Sequence, residues 1–362
     1  MLKRILMIGA ILAVVGLLIL VWASLTRPIL VGAVIPIDTS LGNEENLFLR
    51  YFTTKHPQIG LRPVRLIIEN PAPTEEEVLA AYRRLEGQDV SVIIGGVLSK
   101  DGAWLAAEAE RSGVPTFGIT SSSAALAGKK DAFFRLTPTN SSQAKAVAQF
   151  FQGRGIKRLA VATSVDNVAY VDPYMKVMQE NFQGEMQQIP FTSGEEVAQK
   201  IREVDPEAVF TILAAKDVIQ VIQAVRAWKP DMMIGSSSWG SVELLSLYSG
   251  PSLDGVYFFT LGLEVSGEEN KSEITDFEST YKMTATNGSS YAVSLLRAIY
   301  KAIQQVGAER QALRTYFEIP RSYDTAYGEM SMDEFGDGTT ERIILLQTMN
   351  GVMNTVETLQ VK

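Results

Sequence analysis

Cysteine and histidine, which many enzymes use as nucleophiles, bases and metal ligands, are nearly absent from this chain of 362 residues. It contains no cysteine and a single histidine, His56. Disulfides and thiolate chemistry are therefore excluded, and one histidine does not build a zinc site of three or four ligands. Ser142 and Lys145 fit a Ser-x-x-Lys pattern, but the other acylase motifs, a nucleophile elbow and a phosphate-binding loop are missing. We predict no enzyme, no metal and no cofactor, and we interpret His56 as a surface or capping residue.

Short polar side chains follow two predicted strands at the points where those strands end. Ser99 lies between the strand Val90–Ile94 and the helix Ser99–Arg111, and the strand Thr116–Ile119 runs into Ser121, Ser122 and Ser123. Parallel sheets bind ligands outside the carboxyl ends of their strands, and the free amides at a helix start attract carboxylates. We therefore predict that these serines bind a ligand. The alternatives are that Ser99 only caps its helix and that the serine run is a solvated turn.

A long run of uncharged residues, Ile5–Leu25, follows Lys3 and Arg4. As a helix it would span about 30 Å, the thickness of a bilayer's hydrocarbon core. It predicts either an uncleaved anchor, favoured because a signal h-region usually runs ~7–15 residues, or a signal peptide cleaved after Val21-Trp22-Ala23. The charge bias places the amino terminus in the cytoplasm. The remainder then works in the periplasm or on the outer face of the cytoplasmic membrane.

Composition describes an acidic globular chain. The net charge is −8, and 46% of the residues are hydrophobic. A negative net charge argues against binding to nucleic acid. It also argues against binding to anionic lipids by any part of the chain other than the anchor. The length after the uncharged run exceeds the usual size of one domain and predicts two lobes.

Beyond Pro28, short apolar runs alternate with segments of helical periodicity. The first half predicts the strands Ile29–Ile35 and Val64–Ile68, the helix Asn43–Lys55, and a helix that Thr74 and Glu77 open as a capping box. The alternation resumes after residue 139 with helices at 139–152 and 173–182 and strands at 158–162, 208–213 and 232–234. Helices at 274–283 and 291–306 and a hairpin turn at 350–351 follow. This order predicts an α/β fold with two similar lobes, each built on a mainly parallel sheet.

Several segments together resemble leucine/isoleucine/valine-type periplasmic binding proteins, the type I substrate-binding proteins of ABC importers. They occur in the family's order and are Ile94–Ser99, Val114–Ser123, Phe134–Thr139, the helix with Gln143, Gly255–Tyr257, Tyr291–Val293 and Met332–Asp337. The resemblance implies two doubly wound parallel-sheet lobes that three crossovers join, with a ligand clasped between them. The crossings are expected near 137–139, 258–261 and 328–332. Lobe one is then 28–138 plus 260–329, and lobe two is 139–259 plus 330–362.

The resemblance also implies site residues from lobe two. Tyr170 matches the family's tyrosine at the start of a helix, where the ring covers the ligand; the alternative is a core tyrosine. Ser236 and Trp239 follow the strand 232–234 and complete the candidate set. Trp239 would form an aromatic wall, or it would be a packing residue of the lobe.

One departure from the family bears on the ligand. Members that bind amino acids commonly carry an acid on the loop after the strand 232–234, where this chain has Ser236, Ser237 and Ser238. A buried ammonium without a carboxylate partner is costly. We therefore expect an amide, an organic acid or a modified amino acid rather than a standard branched-chain amino acid. The implied function is a monomeric solute receptor for an ABC permease. A membrane-tethered sensor with a signalling partner would use the same fold.

Overall fold

The computed structural model describes residues 14–16, 22, 26–240, 251–261 and 265–361. Apart from residues 14–16 and 22, the uncharged run Ile5–Leu25 lies outside these ranges, and so does most of the predicted anchor or cleavage site. Among the described residues, no helix combines the length and the apolar character needed to cross a membrane.

Strands and helices alternate along most of the described chain. The strands are β1 (Ile29–Val34), β2 (Gln58–Ile59), β3 (Arg62–Glu69), β4 (Val92–Gly95), β5 (Thr116–Gly118), β6 (Phe133–Pro138), β7 (Arg158–Thr163), β8 (Glu185–Pro190), β9 (Ala208–Ile212), β10 (Met233–Ser236), β11 (Tyr257–Thr260), β12 (Arg321–Thr325), β13 (Gly328–Met332), β14 (Asp337–Thr339), β15 (Arg342–Met349) and β16 (Val352–Gln360). The helices are α1 (Ser40–Lys55), α2 (Glu75–Gly87), α3 (Ser99–Ser112), α4 (Asn140–Gly153), α5 (Val168–Asn181), α6 (Gly194–Val204), α7 (Ala215–Trp228), α8 (Glu268–Tyr281), α9 (Asn287–Val306) and α10 (Arg310–Phe317).

Two separate sheets define two lobes. The sheet of lobe one has the order β12-β13-β14-β6-β5-β4-β1-β3-β2, and that of lobe two has the order β16-β15-β11-β10-β9-β7-β8. The central strands of both sheets pair in parallel. The edges are antiparallel, through β12–β13 and β2–β3 in lobe one and β15–β16 in lobe two. The expectation of parallel sheets therefore holds for the centre of each lobe, and both sheets are mixed as a whole.

Alternate residues of each central strand face opposite layers of helices. In β7, Leu159 and Val161 pack with α4 and α5. Ala160 and Ala162 of the same strand pack with α6 and α7. Lobe one is built in the same way, with α1, α8, α9 and α10 on one face of its sheet and α2 and α3 on the other. Burial on both faces explains why the central strands read as continuous apolar runs.

The chain passes between the lobes three times in the described structure. The first crossing lies at Thr139, between β6 and α4, and the second follows β11. The third lies at residues 340–341, between β14 and β15, whereas the sequence predicted it near 328–332. The difference arises because β12 and β13 form an antiparallel hairpin, joined by a turn at Ala326 and Tyr327, that keeps the chain in lobe one. Residues 330–339, which the sequence assigned to lobe two, therefore belong to the sheet of lobe one.

Candidate ligand-binding cleft

A cavity of about 310 Å³ lies between the two lobes. Lobe one lines it with residues that follow β1, β4 and β5, and lobe two lines it with residues that follow β7, β9 and β10. The strand order reverses beside β1 in one sheet and beside β7 in the other. Open α/β sheets bind ligands at the carboxyl ends of strands beside such reversals. The volume suits a small molecule, since ligand pockets start at about 300 Å³.

Ser99 is the first helical residue of α3, is buried and lines the cleft. The N-cap is Leu98, so Ser99 does not have the capping role that the sequence left open. Two backbone amides at the start of α3 already donate hydrogen bonds to side chains of the protein. Asp101 Oδ2 accepts a hydrogen bond from the Leu98 amide at 3.2 Å, and the Lys100 amide donates to Asn167 Oδ1 of lobe two at 3.3 Å.

The three predicted serines of the loop after β5 have different surroundings. Ser122 lines the cleft, while Ser121 and Ser123 are fully buried and do not line it. The Ser121 hydroxyl donates to the Gly96 carbonyl at 2.7 Å and so ties this loop to the turn before α3. The Ser123 hydroxyl donates to the carbonyl of Ala169 in lobe two at 2.5 Å. Ser121 and Ser123 thus fix the loop and the lobe interface, and Ser122 is the one of the three serines that lines the cleft.

Tyr170 and Trp239 form an aromatic wall on the side of lobe two. Their ring centroids are 5.6 Å apart in an edge arrangement, and Tyr174 lies 5.7 Å from Tyr170 on the other side. Burial raises the pKa of Tyr170 to about 12, against the opposing effect of the neighbouring Ser237 and Ser238. The Tyr170 phenol is therefore neutral at physiological pH and can donate a hydrogen bond.

Ser236, the remaining predicted site residue, lies beneath this wall. It is fully buried, does not line the cleft, and donates to the Ser237 carbonyl at 3.3 Å. Ser238, two residues further on, does line the cleft. The predicted loop therefore reaches the cavity through Ser238 and Trp239.

Tyr291 of α9 lines the cleft from lobe one, with its ring 5.0 Å from that of Tyr327. Burial raises the pKa of Tyr291 above its usual range, and the nearby Tyr170 adds to that effect. Two tyrosines from opposite lobes thus line the same cavity. The sequence predicted Tyr291 only as a family landmark and as the start of a helix, whereas α9 begins at Asn287.

Asn140 and Gln143 hold the cleft together at the first crossing. Asn140 accepts from the Ala124 amide at 3.0 Å and donates to the Tyr170 carbonyl at 3.0 Å, so it joins the serine loop to α5. Gln143 Oε1 accepts from the Tyr174 hydroxyl at 2.9 Å and from the Ser238 amide at 3.1 Å. The sequence gave no signal for either role, since amides at a helix start are common caps.

Charge is sparse in the cleft. Among the described lining residues, Asp101 is the one carboxylate and no lysine, arginine or histidine is present. Burial raises the pKa of Asp101, while the Leu98 amide and the charge of Lys100 act in the opposite direction. In the described part of the chain, no group of three or more histidine or carboxylate side chains is placed to hold a metal ion. His56 lies far along α1 as its C-cap, with its ring nitrogen 3.2 Å from Glu273.

The fold and cleft define a two-lobed α/β binding protein. A family model described as periplasmic binding protein matches residues 52–351. The chain therefore belongs to the periplasmic binding protein family, which confirms the resemblance seen in the sequence. Proteins of this family and fold are solute-binding proteins of transport systems, they are not enzymes, and they are typically extracytoplasmic.

Solved structures of similar fold include transporter substrate-binding proteins, one of them described as the solute-binding protein of an ABC transporter. The leucine-binding protein LivK of Thermotoga maritima superposes with a TM-score of 0.80 at 18% identity, covering 92% of this chain and 99% of that one. A solute-binding protein of Rhodopseudomonas palustris in complex with 3,4-dihydroxybenzoic acid gives 0.81 at 15% identity, covering 92% and 98%. LivJ of Streptococcus pneumoniae in complex with isoleucine gives 0.79 at 16% identity, covering 92% and 99%. At these identities the likeness establishes the fold alone.

A further similarity covers a shorter part of the chain. Over 142 residues, 38% of this chain, the sequence is 31% identical to Glutamate receptor 2.8 of Arabidopsis thaliana. The match spans 15% of the length of that receptor.

Proposed function

We propose that this protein captures a small polar solute, such as an amino acid, an amide or a related organic acid, and delivers it to an ABC permease. The observation that carries the proposal is one cavity lined from both lobes, by Ser99 and Ser122 of lobe one and by Tyr170 and Trp239 of lobe two. A ligand that touches both lobes favours the closed state by its difference in affinity for the open and closed forms.

The test is a thermal-shift screen of the purified protein with amino acids, amides and short organic acids. A ligand at 100 times its dissociation constant stabilises the protein by about 2.7 kcal/mol, which raises the melting temperature by several degrees. We expect a narrow set of related solutes to give such a shift. Flat melting temperatures across the whole library contradict a solute-receptor role.

The uncharged run Ile5–Leu25 completes the proposal, because it would hold the receptor at the outer face of the cytoplasmic membrane. Mass spectrometry of the native amino terminus tests this part. A chain that retains Met1 or Leu2 supports the anchor, and a mature chain that begins at Ser24 replaces it with a cleaved signal peptide.

A membrane-tethered sensor is the second candidate, and the similarity to part of Glutamate receptor 2.8 is the observation that favours it. Both candidates use the same cleft, so ligand binding does not separate them. Neighbouring permease and ATPase genes favour transport, whereas a neighbouring kinase or cyclase gene favours signalling.

A further inference from the structure

The chain enters lobe one at the end of the sheet that lies opposite the cleft. Thr26 is still helical, and its hydroxyl donates to the Trp22 carbonyl at 2.8 Å. Strand β1 begins shortly afterwards at Ile29, and the cleft lies beyond its other end, where Pro36 lines the cavity. At ~3.3 Å per residue, β1 spans about 20 Å. The uncharged run Ile5–Leu25 therefore joins the lobe on the side away from the ligand site.

The described residues of this run carry apolar side chains that the lobes leave uncovered. The exposed fractions of Val14, Val15 and Trp22 are 56%, 45% and 67%. Large apolar side chains left in water forgo the free energy of burial, and a run of this length fits the hydrocarbon core of a bilayer. These exposures agree with the proposed membrane anchor, and the lipid surface would then lie beside Arg27.

A hairpin tip lies next to this entry point. Strands β2 and β3 pair through Ile59 and Arg62, and Gly60 and Leu61 form the turn between them. Arg62 Nε donates to the carbonyl of Arg27 at 2.8 Å, which fixes the hairpin beside the incoming chain. Leu61 is 72% exposed, the highest fraction among the exposed large hydrophobic side chains of the described residues. The tip therefore presents an apolar side chain where the anchor would leave the bilayer.

Arginine side chains lie around the entry, although the chain as a whole is acidic. The Arg27 side chain is 73% exposed, and Arg62 is partly exposed. Arg310 lies at the same end of the sheet, since it donates to the Val90 carbonyl ahead of β4. Asp89 is the carboxylate that pairs with them, at 3.6 Å from Arg27 and 3.5 Å from Arg310. The Asp89 side chain is itself largely exposed, and exposed pairs contribute little, so the guanidinium groups stay available to anionic headgroups.

We propose that the Leu61 hairpin tip and the neighbouring arginines rest on the lipid surface that the run Ile5–Leu25 enters. Leu61 then lies among the headgroups, and Arg27 and Arg62 reach lipid phosphates, with which guanidinium groups pair well. A single exposed leucine is ordinary on a soluble protein. The position of Leu61, tied to the exit of the anchor, carries the inference. It rests on the anchor in the proposed function and goes beyond it, because it adds a second lipid contact and directs the cleft away from the membrane.

Fluorescent labelling tests this contact, because the chain has no cysteine and each introduced cysteine is a single labelling site. Leu61→Cys places an environment-sensitive nitrobenzoxadiazole label at the hairpin tip. Val165→Cys is the matched control, because Val165 is a 55% exposed aliphatic residue in the bend after β7, at the cleft end of lobe two. The full-length protein is reconstituted in vesicles of phosphatidylcholine and phosphatidylglycerol. Melting temperatures equal to that of wild type show that both variants fold.

We expect the label at Leu61→Cys to emit further to the blue, to be quenched by nitroxide-labelled lipid and to be protected from iodide in the water. The label at Val165→Cys should be quenched by iodide alone. In vesicles of phosphatidylcholine alone the blue shift should be smaller, because the arginines lose their anionic partners. An equal shift in both kinds of vesicle would remove the arginines from the contact.

The contact and the anchor fail in different ways. If the protein floats with the vesicles but iodide quenches both labels alike, the anchor stands and the lipid contact at Leu61 is overturned. If the protein stays behind when the vesicles float, the anchor and the lipid contact both fail. Solute capture is tested separately by the thermal-shift screen, and neither result changes it.

Discussion

Arg135 and Asp337 form a buried ion pair beneath the cleft, although 202 residues separate them in the chain. Their side chains are 0% and 4% exposed. Arg135 also donates to the carbonyls of Ser121 and Ser123, at 3.3 and 2.8 Å. Strand β14, which the chain adds to lobe one just before the last crossing, thus fixes the serine loop at the rim of the cavity.

Asp337→Asn should destabilise the protein strongly. The change leaves the charge of Arg135 buried without its partner, and breaking a buried pair costs about 3–5 kcal/mol. Urea unfolding of the variant measures this loss. Glu268→Gln is the control, because its partner Lys271 and Glu268 itself are 51% and 93% exposed and such pairs contribute little. Equal stability of both variants would show that the Arg135–Asp337 pair does not hold the loop.

Ser99→Ala should weaken ligand binding and leave the fold intact. Ser99 lines the cleft, and it is not the residue that caps α3. The loss of one hydrogen bond to a charged ligand group corresponds to about 1.5–3 kcal/mol, or roughly ten- to a hundred-fold in affinity. Calorimetry with a solute found in the screen measures the change. An affinity within error of wild type would remove Ser99 from the site.

Tyr170→Leu should weaken binding roughly ten-fold, because an aliphatic side chain keeps most of the buried volume but removes the ring that faces the ligand. Tyr170→Phe keeps the ring and removes only the hydroxyl. We expect Tyr170→Phe to bind more tightly than Tyr170→Leu in the same calorimetric titration. Wild-type affinity in Tyr170→Leu would show that the ring only packs against Tyr174 and the core of lobe two.

The ligand-free stability of the protein should depend on pH through Asp101. Burial raises the pKa of Asp101 above its ordinary value of 3.8. At pH values between the ordinary pKa and the raised pKa of the folded protein, the native state binds more protons than the unfolded state. The contribution of Asp101 to the free energy of unfolding therefore falls as the pH rises through this range. At neutral pH the empty cleft therefore contains an unfavourable charge.

Asp101→Asn, without ligand, should accordingly be as stable as wild type or more stable at pH 7, and its advantage should shrink as the pH falls towards 4. Urea titrations at a series of pH values measure this difference. A variant that is clearly less stable than wild type at pH 7 would show that the Asp101 charge is already compensated in the free protein.

The central strands and most helices were predictable because their signals are local. Runs such as Leu159–Ala162 are apolar on both faces, and Thr74 caps α2 by accepting from the Glu77 amide, as the pattern predicts. Elements without such a signal were missed. Strand β8 is mostly exposed and polar, and β12 alternates exposed Ser322 and Asp324 with buried neighbours over only five residues. Because β12 was missed, the partner of β13 was missed, and the third crossing was predicted too early.

The cleft was predictable in position but less so in detail. Ser121 looks like a ligand residue in the sequence, yet a Cβ at Gly96 or Gly102 would overlap its hydroxyl, so both glycines are needed for Ser121 to pack where it does. Asp101 looks like an ordinary helix-start acid, as Asp217 does. The position of Asp101 at the cavity depends on how the two lobes meet, which no local pattern records.

Closure of the lobes around a solute is the central claim, and a distance between the lobes tests it most directly. The chain has no cysteine, so spin labels can be placed at Glu76→Cys in lobe one and Lys216→Cys in lobe two, both at exposed positions. Pulsed electron resonance then measures the label distance with and without the solute that raises the melting temperature most. We predict a shorter and narrower distance distribution with that solute. An unchanged distribution at saturating solute would contradict capture between the lobes.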